Sequence, residues 1–331
     1  MAHKVLLGAV IAVALLALFL AYGVLKARLG PTALPPSPGP GDPELARRLQ
    51  GHVRHLSGTI GSRSVYEIDR LEAARDYIVA GLRAAGYSPV FQAVPYGGRD
   101  YANVIASIAG TTLPEETVLV GAHYDSVQGT PGADDNASAV AVLLELCRAL
   151  RGAAPARTVT FAFFTLEEPP VFPSGTMGSA VYAAAVAARG EQLRAMLCLE
   201  MVGYFHDREG GQSFPLPGMG LIYPTTPDFL AVIANIKSRR LARQVAASFR
   251  ASTDLPVETL ATVRALPGVD FSDHRWFWKL GYEAVMLTDT AFYRNPNYHG
   301  PGDTADTLDY GKMAQVVGGL VRAVGDLAGA Q

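Results

Sequence analysis

The side chains best equipped for chemistry fall in five short segments. The first is His123-Tyr124-Asp125. Its outer residues lie two apart, so in an extended segment both leave the same face, and the carboxylate can orient the imidazole for a metal. His-x-Asp is common by chance and carries little alone. The second, Gly132-Ala133-Asp134-Asp135-Asn136, feeds an apolar helical pattern. Both carboxylates could cap the free N–H groups of that helix, or one could cap while the other bridges metal ions. The third, Glu167-Glu168, closes the apolar strand 158–166 and reads either as a solvated helix start or as a general base beside a metal ligand. Adjacent residues at a strand end point apart, which suits one carboxylate taking a proton from water and its neighbour gripping a cation. The fourth is Glu200, in a stretch that would otherwise be fully buried; left unpaired there it would cost several kcal/mol, so a cation or a hydrogen-bond network must meet it. The fifth, Tyr298-His299-Gly300-Pro301-Gly302-Asp303-Thr304, sits in a proline- and glycine-rich loop, where a lone histidine is ordinarily a surface or structural residue.

Hydrophobic periods supply the scaffold that must gather these segments. Short β-rich runs occur at 101–109, 117–124, 157–166, 195–203 and 282–288, with helical patterns at 136–151, 178–188 and 227–250. Two helices lead in, about 43–57 and 65–85; the second repeats Val65, Ile68, Leu71, Tyr77, Ile78 and Leu82 near a 3.6 period and stops at Gly86. Strands alternating with helices predict an α/β fold, a three-layer α/β/α sandwich with a mostly parallel mixed central sheet. Such sheets place ligands at their strand ends, where the acidic residues and histidines here collect.

Composition narrows the classes. With 49% hydrophobic and 18% charged residues the 331-residue chain is no disordered protein. A net charge of -2, from 28 basic and 30 acidic residues, leaves no footprint for nucleic acid. The two cysteines, Cys147 and Cys198, lie in apolar stretches and read as small buried hydrophobes. Residues 5–25 carry no charge. As a helix they would reach about 30 Å, enough to cross a hydrocarbon core. A cleaved signal peptide has a shorter apolar core, so an uncleaved transmembrane anchor over 1–29 is favoured. Six prolines in 31–43 mark a semi-rigid linker over 30–43, leaving 44–331 as the main domain. Flanking charge does not decide the orientation.

In the order His123, Asp135, Glu167-Glu168, Glu200, His299, the sequence resembles the co-catalytic zinc aminopeptidases, a family that includes secreted bacterial aminopeptidases, glutamate carboxypeptidase, glutaminyl cyclase and the transferrin receptor ectodomain. The resemblance runs from about residue 43 to the C-terminus and takes in Asn103-Val104-Ile105-Ala106, Ser272-Asp273-His274 and Tyr298-His299. It implies two zinc ions per chain. His123, Asp135 and Glu200 would hold one, Asp135, Glu168 and His299 the other, with Asp135 chosen as the bridge because it directly precedes Asn136. Glu167 takes the general-base role, Asp125 supports His123, and Tyr298 steadies the developing oxyanion. Asp273 belongs to a run read either as structural hydrogen bonding or as support beside the pocket.

The implied activity is peptide hydrolysis, specifically aminopeptidase action on a peptide substrate, with the domain membrane-tethered and outside the cytoplasm. Two departures bear on it. Residues 169–176 lengthen the connection after Glu168, and Glu200 stands where aspartate is frequent, which leaves a mononuclear glutaminyl cyclase-like enzyme as an alternative and a non-catalytic receptor-like module as a weaker one. Phe172, Tyr223, Trp276, Phe292 and Tyr293 are candidates for a pocket lining, although such aromatics more often belong to a core. His52, His55 and His206 read as surface residues. Oligomeric state is not legible.

Overall fold

The computed structural model describes residues 42–329. The expected anchor and nearly all of the linker lie outside the described residues; among those described, no helix is long and apolar enough to cross a membrane.

Eight strands form one mixed sheet: β1 (Val90–Tyr96), β2 (Arg99–Ile108), β3 (Leu113–His123), β4 (Arg157–Phe164), β5 (Gln192–Leu199), β6 (Leu230–Asn235), β7 (Val257–Thr262) and β8 (Ala284–Thr288). Their order is β1-β2-β4-β3-β5-β8-β6-β7. Four strands at the centre, β4, β3, β5 and β8, run parallel to one another. β1 and β2 pair antiparallel with their neighbours, and β6 reverses against β8. Seven α-helices cover the sheet: α1 (Pro43–Val53), α2 (Ile68–Ala84), α3 (Ala139–Ala149), α4 (Gly178–Ala188), α5 (Arg239–Arg250), α6 (His274–Lys279) and α7 (Tyr310–Ala328).

The central strands read as unbroken apolar runs because both of their faces are covered. Val118, Val120, Val159, Phe161, Leu197, Val285 and Leu287 turn to one core, shared with α1, α2, α3, α5 and α7. Their alternates Leu119, Ala162, Phe164, Met196, Cys198, Ala284 and Met286 turn to the other, shared with α4 and α6. That is the three-layer sandwich. Both cysteines are buried and unpaired.

Helix boundaries follow local chemistry. Asp42 accepts from Glu44 N–H at 2.8 Å with Pro43 in the first turn of α1. Asp309 accepts from Lys312 N–H at 2.9 Å to open α7. Gly319 lets α7 lie against α5, since a Cβ there would come within 2.2 Å of the Phe249 ring.

The helical reading of 227–250 is corrected. Its first half is strand β6, and α5 begins only at Arg239. Phe229, Leu230, Val232 and Ile233 are apolar at successive positions, a pattern that a doubly covered strand and a buried helix share. Strands β1 and β7, at the two sheet edges, and helix α7 were also not expected from the sequence.

Candidate metal centre

The central strands being parallel, the chain leaves all four at one edge of the sheet, and four of the five candidate segments emerge there. His123 is the last residue of β3, Glu167 and Glu168 follow β4, Glu200 directly follows β5, and the loop after β8 carries Tyr298 and His299. At each exit except that of β3 the backbone turns sharply. Leu166 (φ 60°), Met201 (φ 51°), Thr290 (φ 90°), Ala291 (φ 50°) and His299 itself (φ 54°) are left-handed residues with side chains. Such residues cost about 1–3 kcal/mol each and concentrate at functional sites. Here they keep acidic and imidazole groups at the sheet edge instead of carrying them past it. The fifth segment depends on Gly132 (φ 60°), where a Cβ would meet Asp135 O at 2.5 Å and Ser126 Cβ at 2.7 Å. From that turn, residues 133–138 form an irregular coil leading into α3, with a cis peptide between Asp135 and Asn136.

Asp135 lies at the point of convergence. Its Oδ1 is 3.4 Å from His123 Nε2 and its Oδ2 is 3.1 Å from His299 Nε2, so the carboxylate faces two imidazoles through different oxygens. Glu200 Oε2 stands 3.4 Å from the same His123 nitrogen, and Glu168 Oε2 stands 3.4 Å from His299 Nε2. His123, Asp135 and Glu200 thus make one cluster of donor atoms, and Asp135, Glu168 and His299 another, each within 4.8 Å. His123, Glu167 and Glu168 also approach one another to that degree.

The donors fit a divalent cation. His123 Nε2, Asp135 Oδ1 and Glu168 Oε1 are buried without a hydrogen-bond partner among the described residues, whereas buried polar atoms are normally satisfied. Ligand atoms about 3.3 Å apart match the edge of a tetrahedron with bonds of ~2.0–2.1 Å, and an imidazole–carboxylate set suits zinc.

A ring of supporting bonds holds these groups. Asp125 has its Oδ1 3.4 Å from His123 Nδ1 and accepts from the backbone N–H of Glu167 (3.1 Å) and Glu168 (3.0 Å), tying the end of β3 to the end of β4. Asn136 does the same for β5, donating to Leu199 O at 3.0 Å and accepting from Met201 N–H at 2.9 Å. Asp303 accepts from the backbone N–H of Asp134 (2.8 Å) and Asp135 (3.1 Å). Arg63 is fully buried and donates to the carbonyls of Tyr124, Pro131 and Gly132, each at 2.7 Å, bracing the loop between His123 and Asp135.

Asp134, the other member of the pair, points elsewhere. It accepts from Gly203 N–H and from Asn295 Nδ2. Ser272 donates its hydroxyl to Glu200 Oε2. Asp273 is buried beside this contact with neither oxygen hydrogen-bonded among the described residues, so within its run it is the serine that touches a candidate ligand.

Burial sets the electrostatics. It drives the Glu167 carboxyl well above the ordinary range, opposed by His123 and reinforced by Glu200, Asp273 and Asp125. Glu168 rises for the same reason, with Asp135 and Glu167 adding to it. Asp135 is also desolvated, yet the bonds and charges of His123 and His299 outweigh that and hold it ionised. Asp134 is pushed up by burial and by Asp289, while Asp273 and Asp303 each rise to about 7, chiefly through desolvation. Burial, then the charges of Asp135, Glu168, Glu200 and Glu167, raise the Tyr298 hydroxyl and keep it a neutral donor.

Beside the centre opens a largely apolar pocket. Glu200 and Tyr298 stand at its metal-centre side, and Tyr223, Phe229, Phe271 and Phe292 line it. Of the aromatics singled out from sequence, Tyr223, Phe292 and Tyr293 line the pocket. Phe172 packs on Phe271 at the rim, and Trp276 donates to Met177 Sδ at 3.2 Å. The surface reading of His52 needs correction, because it bonds Tyr77 (2.8 Å) and lies 3.3 Å from the buried Glu145. Arg63 gave no signal in the sequence, since its partners are backbone carbonyls.

The chain is similar to known proteins in sequence and in fold. The model of peptidase family M28 matches residues 103–324. An uncharacterized protein, YfbL, of Escherichia coli (strain K12) is 43% identical over 297 residues, covering 87% of this chain and 90% of that protein. A probable leucine aminopeptidase of Trichophyton verrucosum is 30% identical over 227 residues, 64% of this chain and 54% of the relative, so the chain spans about half of that protein's length. The fold is shared with BSAP, a zinc aminopeptidase from Bacillus subtilis (TM-score 0.66, 15% identity, 91% of this chain and 97% of that one). It is shared also with a glutaminyl cyclase from Bacteroides thetaiotaomicron (TM-score 0.61, 17% identity, 84% and 97%).

Proposed function

The chain belongs to peptidase family M28, and from that premise we propose that it is an aminopeptidase that opens the first peptide bond of its substrates at a centre of two zinc ions. The observation that carries this reading is the Asp135 carboxylate, whose two oxygens face His123 and His299 separately. His123, Asp135 and Glu200 would hold one ion, and Asp135, Glu168 and His299 the other. Bound there, zinc supplies a water that ionises near neutral pH and a Lewis acid that polarises the scissile carbonyl.

Glu167 takes the proton of the attacking water and passes it to the leaving amine nitrogen. Desolvation by burial raises the proton affinity of its carboxylate, which strengthens it as a base. Tyr298 donates its hydroxyl hydrogen to the oxygen on which charge develops. Asp125 fixes the His123 ring and, through two backbone N–H groups, the positions of Glu167 and Glu168. Asp273 takes a supporting position beside Glu200 and Ser272. The apolar pocket receives the side chain of the N-terminal residue, and Glu167 or Glu200 attracts its α-ammonium group.

Metal analysis of the purified protein with a matched pair of substrates tests the reading. Two zinc equivalents per chain, and release of leucine from leucyl peptides but not from N-acetylated ones, are expected. One equivalent with pyroglutamate as product would assign the chain to cyclisation instead. For residues 5–25 and 30–43 the same reading holds a membrane anchor and a stalk, with the peptidase outside the cytoplasm. A C-terminal reporter that worked only in the cytosol would overturn that placement.

A further inference from the structure

Four aromatic rings, of which the mechanism uses only Tyr298, run from His299 to the loop after Glu168 and form a collar beside the centre. Starting at His299, Tyr298 stacks on the imidazole with centroids 3.7 Å apart, and Phe292 meets Tyr298 at 5.4 Å. Phe271 lies 6.5 Å from Phe292, and Phe172 lies edge-on to Phe271 at 6.2 Å. The collar closes through the backbone, since the N–H groups of Val171 and Phe172 donate to Glu168 O at 3.0 and 3.3 Å, and Glu168 faces His299. Phe271 and Phe292 remain 46% and 39% exposed, and contiguous exposed aromatics at the mouth of a polar site mark a binding surface.

The two sides of the collar differ. Phe271, Phe292 and Tyr298 line the apolar pocket; Phe172 does not. Phe172 belongs to the loop 169–176, which starts directly after Glu168 and so one residue on from Glu167. The group that protonates a leaving amine must sit beside it, so the residue whose nitrogen departs lies against this loop. Phe172 is also held in place: the Arg275 guanidinium stacks over its ring at 4.8 Å and is itself 3.7 Å from Asp270. A ring fixed before binding loses little freedom when it makes contact.

We propose that Phe172, braced by Arg275 and backed by Phe271, forms the subsite for the second residue of the substrate and selects large apolar or aromatic side chains there. This rests on the aminopeptidase reading. The test is a tripeptide series Leu-X-Ala, with X glycine, alanine, leucine or phenylalanine, followed by mass spectrometry of released leucine using the zinc-loaded full chain.

The wild type is expected to show kcat/KM at least about tenfold higher for phenylalanine than for glycine at X. Phe172→Ala brings that ratio below about three, and Arg275→Gln, which leaves the ring in place but removes its clamp, gives an intermediate ratio. Phe172→Leu, the gentler change for the fold, retains preference for leucine at X and loses it for phenylalanine. A wild-type ratio near one, or an unchanged ratio in Phe172→Ala, overturns the subsite while leaving aminopeptidase activity standing. Failure to release leucine from any peptide in the series overturns both.

Discussion

The two ends of helix α3 carry buried acids in opposite conditions. Its C-terminal part holds Glu145, 4% exposed, and every need of that carboxylate is met: Arg48 Nε lies 2.9 Å from one oxygen, His52 Nε2 3.3 Å from the other, and Tyr77 holds the far side of the same imidazole. Desolvation would raise it, but His52 and Arg48 outweigh burial and its carboxyl stays below the ordinary value. The N-terminal end carries Asp135 among other acids, with orphaned atoms on His123, Asp135 and Glu168 and with Glu167 and Glu168 driven upward. A buried carboxylate beside a histidine is therefore no sign of a metal by itself. Acids that converge on one another and on two histidines with unused lone pairs point to one, because such crowding is relieved either by added positive charge or by protonation, and the orphaned imidazole nitrogen favours the cation.

Substitutions at the two ends separate the cases. The largest effect is expected at Asp135→Asn, which removes detectable peptide hydrolysis and at least one zinc equivalent by metal analysis. Glu167→Gln lowers kcat by about 10²–10⁴-fold with both equivalents retained, a split that tells a proton carrier from a ligand. Chelation of the wild type, measured by thermal melting, costs about 4 kcal/mol for each zinc ion lost when free zinc had stood near 1,000 times Kd, roughly 10 °C per ion for a domain of this size. Asp135→Asn gives a clearly smaller shift with the same chelator; equal shifts would mean that zinc binds elsewhere.

At the other end, Glu145→Gln loses about 2–3 kcal/mol of stability in urea unfolding, less than a fully buried pair because Arg48 is partly solvated, while kcat/KM and zinc content stay within twofold of wild type. A smaller effect is expected from His274, whose ring donates to Val269 O, packs on Trp278 and is held neutral by burial, its pKa lowered to about 4. The unfolded chain takes up that proton near pH 6.5, so the stability contributed by the neutral ring is intact above 6.5 and is lost as pH falls towards 4. By pH 5 the loss is about 2 kcal/mol. His274→Gln should narrow its stability gap to wild type by that amount between pH 7 and pH 5.

The ionisable part of the site was readable because strand ends are readable. His123, Glu167, Glu168 and Glu200 each terminate an apolar run, and such runs mark doubly covered strands whatever their exact limits. Asp135 and His299 were placed by their order relative to the others, and no period in the sequence brings them together. Two kinds of feature left no trace. Arg63, Asn136 and Asp303 act on backbone groups, and any residue supplies a backbone carbonyl or N–H. The pocket wall comes from β6, β7 and the long connections around them, where an apolar segment such as 229–235 satisfies helix and strand patterns alike, so Tyr223, Phe292 and Tyr293 of its lining could be named from the sequence but its shape could not be assembled.

The link from Asp303 to the backbone of Asp134 and Asp135 has a temporal side. His299 and Asp303 come from the last part of the chain, long after the segments they complete, and contacts that distant in sequence close late. Until they do, the aspartate loop lacks its anchor and the second cluster lacks its imidazole. A chain truncated before residue 299 therefore keeps the donors of the first cluster, His123, Asp135 and Glu200, but lacks both the imidazole of the second and the carboxylate that anchors the aspartate loop.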